Sequence, residues 1–192
     1  MNLSDNKVCD FAYEAEKIFH GRPSGIDNTL VTYGGFISFQ KKSRGNYIKH
    51  LQIKKSIHFV LIDTGERADT KTMVAKVRKW KEHNKKIFLK LLNQESAIIT
   101  QAIKYLETGK HKRLGELMNL NQDFLEVIGV SDIKNEKVIL AARAAGALGA
   151  KLVGSGGGGF CIALVKNRKK AGSLIKSLNK KYRCFYCFIK NP

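Results

Sequence analysis

The chain has little that breaks or cross-links a fold. Of its 192 residues, two are proline and four are cysteine, and no low-complexity stretch or internal repeat occurs. Disorder is therefore expected only in the first few residues and the last two. No apolar run approaches the roughly 20 residues of a membrane-spanning helix, so no membrane partner is expected. The opening Met1-Asn2-Leu3-Ser4-Asp5 is polar, unlike a secretory leader, and the expected setting is the cytoplasm with reduced thiols. Cys184 and Cys187 form a C-x-x-C spacing, but a zinc site needs a second pair of ligands and none is near. The aromatic and apolar run Tyr182 to Ile189 predicts a buried strand, on which residues three apart face opposite ways, so core cysteines are expected. Acidic residues are also scarce, 16 against 35 basic, giving a net charge of +19. The basic residues are scattered (Lys41-Lys42, Lys54-Lys55, Lys85-Lys86, Lys110 to Arg113, Arg168 to Lys170, Lys180-Lys181), many at helical spacing between apolar residues. That pattern reads as a lysine-rich solvated surface rather than a nucleic-acid interface, although its field would favour an anionic substrate.

What is present is an ordinary globular composition, 43% hydrophobic and 27% charged, in a chain long enough to bury a core. Val8, Phe11, Ala12, Ala15 and Phe19 recur at helical spacing, and Asp5 can cap a helix that runs to about Phe19. Leu30 to Gln40 and Tyr47 to Ile53 read as strands, as does His58 to Ile62, bounded by Asp63-Thr64-Gly65. From Thr70 the pattern turns helical: residues 70–92, then Gln94 to Glu107, Lys110 to Val127 and Ser131 to Ala145, with glycines closing two of these segments. The end returns to strand, helix, strand over Gly159 to Val165, Arg168 to Lys180 and Arg183 to Ile189. The fold class is α+β, a helical block set between strands, with a boundary near residues 53 to 56 and the first segment in a different sheet from the rest.

Two stretches can carry chemistry. In His20-Gly21-Arg22-Pro23-Ser24-Gly25-Ile26-Asp27-Asn28, the carboxylate of Asp27 follows a Pro-Ser-Gly bend; an acid held there can orient or deprotonate an alcohol, or can simply cap a turn. Glu16, one turn before His20, is either an exposed helix acid or the second carboxylate of a Mg²⁺-assisted phosphoryl transfer. The run Lys151-Leu152-Val153-Gly154-Ser155-Gly156-Gly157-Gly158-Gly159-Phe160 lets the backbone approach a ligand and can form an anion nest, or it is only a tight loop. It is not a Walker sequence: no G-K-[ST] follows, and it enters a strand rather than a helix.

Residues Glu16 to Asn28 closely resemble the E-x-x-x-H-G-x-P-S-G-x-D-N segment of mevalonate kinases, members of the GHMP family of small-molecule kinases. The glycine run from Lys151 to Gly159 is similar to that family's C-terminal glycine motif. Asp63-Thr64-Gly65 to Thr70 with Val74-Ala75-Lys76-Val77, and Met118-Asn119-Leu120-Asn121-Gln122, resemble two intervening segments in the same order. The resemblance implies residues 1–54 as the end of an N-terminal mixed α/β kinase domain and 55–192 as a ferredoxin-like α+β C-terminal domain with extra helices. It implies ATP, Mg²⁺ and mevalonate as ligands, in an early step of isoprenoid synthesis. By the same resemblance Asp27 is the acid-base residue, Glu16 helps hold Mg²⁺, Ser24 supports Asp27, and Thr70 lies near the reacting groups. Gly154, Ser155, Gly156, Gly157 and Gly158 form a loop closing on the active site, and His20 is given structural support.

Departures qualify this. The P-x-x-x-G-L-G-S-S-A phosphate motif of the family is absent, as is the strand-loop whose lysine sits near the catalytic aspartate. Arg22 stands where a small polar residue is usual. An N-terminal half, or a homodimer partner, is therefore expected to complete the enzyme. Phosphomevalonate kinase activity and a non-catalytic nucleic-acid-binding role are the alternatives.

Overall fold

In the computed structural model, residues 3–20, 23–42, 45–67 and 69–190 are described, without the side chains of Phe19, His20 and Lys41. The chain forms two compact units, Met1–Ile53 and Lys54–Pro192.

The first unit holds helices α1 (Asp5–His20) and α2 (Ile26–Tyr33), then a hairpin of β1 (Ile37–Lys42) and β2 (Gly45–His50). The hairpin is antiparallel, with Phe39 opposite Ile48. Leu30 to Tyr33 is helical, not strand as its composition suggests. Tertiary packing overrides β-propensity here. The buried Asn28 donates to the Cys9 carbonyl at 3.1 Å, and Thr29 and Thr32 bond back to the carbonyls four residues earlier at 2.6 and 2.7 Å. Tyr33 also reaches Asn6 on α1 at 2.5 Å.

In the second unit, strands β3 (Ile57–Asp63), β4 (Gly149–Leu152), β5 (Phe160–Val165) and β6 (Arg183–Ile189) make an antiparallel sheet ordered β4-β5-β3-β6. Helices α3 (Thr70–His83), α4 (Lys85–Thr108), α5 (His111–Val127) and α6 (Ile133–Ala144) lie between β3 and β4 in the chain, and α7 (Arg168–Leu178) between β5 and β6. This is a β-α-β-β-α-β ferredoxin-like order in which four helices occupy the first crossover. The core forms where Val60, Ile62, Ala163 and Leu152 of the sheet meet Val138, Ala142 and Leu174 of α6 and α7, each at most 1% exposed. Each large aliphatic side chain buried there stabilises the fold by about 1.5–3 kcal/mol.

Three expectations change. The first break in the helical block falls at Asn84, whose side chain and N–H both bond to the Trp80 carbonyl, so α4 runs unbroken through Leu92 and Asn93. β6 is an edge strand with Phe185 and Phe188 44% and 55% exposed, not a buried one. Consequently only Cys161 is a core cysteine; Cys9, Cys184 and Cys187 are half-buried free thiols.

β4 was not legible as a strand. It is four residues long and lies on the other edge of the sheet. Its outward N–H groups are taken by side chains of α5: Ala150 donates to Asn119 Oδ1 at 3.0 Å and Leu152 to Gln122 Oε1 at 2.9 Å. The helix approaches that closely because Gly115 and Gly149 meet backbone to backbone; a Cβ at Gly115 would lie 2.3 Å from the Leu148 carbonyl oxygen.

Candidate active site

The first unit carries the acid motif. Pro23 is buried, and the Ser24 hydroxyl accepts from the Ile26 N–H at 3.2 Å, an ordering bond at the start of α2. Asp27 sits in the first turn of α2 rather than on the preceding bend, and is exposed. A carboxylate there is favoured by the helix dipole and needs no other partner. Its neighbour Asn28 anchors the turn to α1 through Cys9. Glu16 is half-buried near the C-terminal end of α1. Among the described residues no hydrogen bond or ion pair joins Glu16 to Asp27, and neither is engaged by a cation. Gly21, Arg22 and the His20 side chain lie outside the described residues.

The second unit carries the glycine loop, residues 153–159, between β4 and β5. A cavity of about 330 Å³ opens beside it, lined by Arg67, Thr70, Val153, Gly154, Ser155 and Phe160 among others. The structure brings Thr70 and Ser155 together, their hydroxyl oxygens 3.3 Å apart. Asp69 caps α3, accepting from the N–H and hydroxyl of Thr72, both at 2.9 Å; these bonds hold its carboxyl below the usual range.

The outgoing half of the loop is fully occupied. Gly157 N–H donates to the Val130 carbonyl and Gly159 N–H to the Glu66 carbonyl, both at 2.8 Å, and Gly158 N–H to Asn135 Oδ1 at 2.9 Å. The Gly159 carbonyl accepts from the N–H and hydroxyl of Thr64 at 3.0 and 2.8 Å. Gly158 has φ +113°, and a Cβ there would lie 2.8 Å from Glu66 Cβ, so glycine is required. Glu66 in turn pairs with Lys134. By contrast the N–H groups of Gly154, Ser155 and Gly156 take no partner among the described residues. Consecutive uncommitted N–H groups in such a loop are suited to an anion.

Three residues at this site were assigned no role from the sequence. Arg67 is held by both oxygens of Asp63 and stacks 5.4 Å from the Phe160 ring centroid. Its i,i+4 spacing from Asp63 was the available signal. Gln122 lies in the Met118 to Gln122 segment that resembles the family but had no role assigned, and Asn135 gave no signal because it acts on a segment distant in sequence. A larger open hollow of about 570 Å³, lined by Lys137, Lys180, Lys181 and Tyr182 over alanines of α6, involves none of the motif residues. Among the described residues no group of three or more His, Cys, Asp and Glu could hold a metal ion, and no helix is long and apolar enough to cross a membrane.

Comparison with known proteins finds small-molecule kinases. Residues 102–184 match the family described as GHMP kinases C terminal. The chain is 33% identical to the mevalonate kinase of Pyrococcus furiosus over 175 residues, 88% of this chain and 51% of that protein. It is 36% identical to that of Thermococcus sibiricus over 174 residues, with the same coverage. Its fold matches the crystal structure of L. major mevalonate kinase in complex with R-mevalonate with a TM-score of 0.93 and 34% identity, covering 99% of this chain and 60% of that one. A Streptococcus pneumoniae phosphomevalonate kinase shares the fold at a TM-score of 0.79 but only 17% identity, covering 98% of this chain and 63% of that one. The chain carries a GHMP kinase C-terminal domain. Its relatives at 33–36% identity are mevalonate kinases, and the phosphomevalonate kinases are more distant. The chain spans about half the length of the curated relatives it matches.

Proposed function

We propose that this chain forms part of a mevalonate kinase, transferring the γ-phosphoryl group of ATP to the primary hydroxyl of mevalonate for isoprenoid synthesis in the cytoplasm. Residues 1–54 would close the N-terminal kinase domain, and 55–192 would be the C-terminal domain. The observation that carries the reading is Asp27: an exposed carboxylate, paired with no cation among the described residues, on the first turn of a helix braced through Asn28 and Cys9.

Asp27 orients the alcohol and accepts its proton as the oxygen attacks phosphorus. Ser24 orders the turn that presents it. Glu16 would hold Mg²⁺, with phosphate oxygens supplying other ligands, as this ion needs only one or two protein carboxylates. Among the described residues no hydrogen bond or ion pair takes the acid oxygens of Glu16 and Asp27, which fits that donor set. Mg²⁺, when bound, neutralises charge on the transferring phosphate. Gly154, Ser155 and Gly156 offer N–H groups to an anionic ligand, with the Thr70 hydroxyl beside them. Gly157 and Gly158 fix the loop's far side. Catalysis of this kind is mostly positioning and electrostatics.

The test is ATP-dependent phosphorylation of mevalonate by the chain supplied with the N-terminal half of a mevalonate kinase. Turnover with mevalonate and not phosphomevalonate supports the reading; turnover with phosphomevalonate alone replaces it.

A further inference from the structure

Both shoulders of the glycine loop are fastened to the N-terminal turn of α6. On the incoming side Leu152 N–H donates to Gln122, whose amide nitrogen donates to Ser131 Oγ at 2.8 Å and Glu136 Oε1 at 2.7 Å. On the outgoing side Asn135 takes both polar groups of one residue: Gly158 N–H donates to its Oδ1 at 2.9 Å, and its Nδ2 donates to the Gly158 carbonyl at 3.2 Å. Asn135 is completely buried.

A capping role alone does not account for this side chain. Asp132 is the N-cap of α6 and accepts the Asn135 N–H at 2.7 Å. The reciprocal bond, Asp132 N–H to Asn135 Oδ1, is 3.5 Å long. The shorter side-chain bonds go to the loop. A carboxamide presents an acceptor and a donor side by side, matching the N–H and C=O of a single residue. Neither an alanine nor a carboxylate can do both.

We propose that Asn135 is the positioning residue of the glycine loop: by clasping Gly158 it holds the outgoing strand in place, so that Gly154 to Gly156 keep their N–H groups uncommitted beside Thr70. This rests on the reading of the loop as a ligand-facing segment of a kinase.

The experiment uses the full chain, ¹⁵N-labelled. Asn135→Ala removes both bonds; Asn135→Asp keeps the shape and the acceptor but loses the donor. Val138→Ala, at a fully buried site on the same helix, reports general weakening. Native-state amide exchange at Gly157, Gly158 and Gly159 is compared with that of β3 amides. In Asn135→Asp the three glycine amides are expected to exchange at least tenfold faster relative to β3, whereas Val138→Ala leaves that ratio unchanged. An unchanged ratio in Asn135→Asp, or an equal rise in Val138→Ala, overturns the inference. If Asn135→Ala does not fold, Asn135→Asp decides alone. In the complemented enzyme, Asn135→Asp is expected to lower kcat at least tenfold with the KM for mevalonate within twofold; a KM effect alone contradicts a positioning role. Absence of turnover in the unsubstituted protein removes the kinase reading, while the exchange ratio still decides whether Asn135 holds the loop.

Discussion

Arg67 grips both carboxylate oxygens of Asp63, at 2.8 and 3.1 Å, where β3 ends and the approach to α3 begins. The guanidinium first, then the Gly65 N–H, lowers the Asp63 carboxyl from 3.8 to about 2. A carboxyl that titrates lower in the folded state contributes stability that is complete above its unfolded value. That contribution is lost as pH falls from about 4 towards 2. With the Arg67 side chain 61% exposed, solvent screens the pair and keeps that contribution small. Arg67→Ala is expected to lower stability modestly at pH 7, and the difference from the parent should shrink as pH falls from about 4 towards 2 in denaturant titrations. A difference independent of pH contradicts the pairing.

Gly115 and Gly172 make opposite predictions although both lie in helices. A Cβ at Gly115 meets the fixed backbone of Leu148 and Gly149 at 2.3 to 2.9 Å, so Gly115→Ala must push α5 from β4 and should cost about 2 kcal/mol or more. A Cβ at Gly172 meets nothing within 4 Å. Gly172→Ala should therefore stabilise the protein by about 0.5–1 kcal/mol through the reduced freedom of the unfolded chain. Urea midpoints of the two variants check both signs.

Burial pushes the Cys161 thiol up to about 11, and the residue has no exposed surface. At pH 8 it should resist alkylation while the half-buried Cys9, Cys184 and Cys187 react. Mass mapping after iodoacetamide treatment should find Cys161 modified only under denaturing conditions. Early labelling of Cys161 would show that the glycine loop and α6 open together.

The sequence pattern revealed most of the second unit, because its helices are long and periodic and its central strands β3 and β5 are β-rich runs. It failed where a tertiary contact outweighs local preference. Leu30 to Tyr33 has strand-like residues, yet Asn28 and Thr29 tie that segment to α1 as a helix. β4 is invisible because it is held by its ladder to β5 and by Asn119 and Gln122 rather than marked by its own composition. The motif residues Asp27, Thr70 and Ser155 were legible as a resemblance. The residues that hold the loop, Asn135 above all, were not, since nothing in their spacing points to Gly158.

The most direct test of the kinase reading is mevalonate-dependent ADP formation by the complemented protein, compared with its Asp27→Asn variant. Loss of a positioned general base lowers turnover by about 10²–10⁴-fold. The account predicts a fall in kcat of at least a hundredfold with the fold intact, since Asp27 is exposed and no bond of α2 depends on its side chain. Unchanged turnover in Asp27→Asn would contradict it.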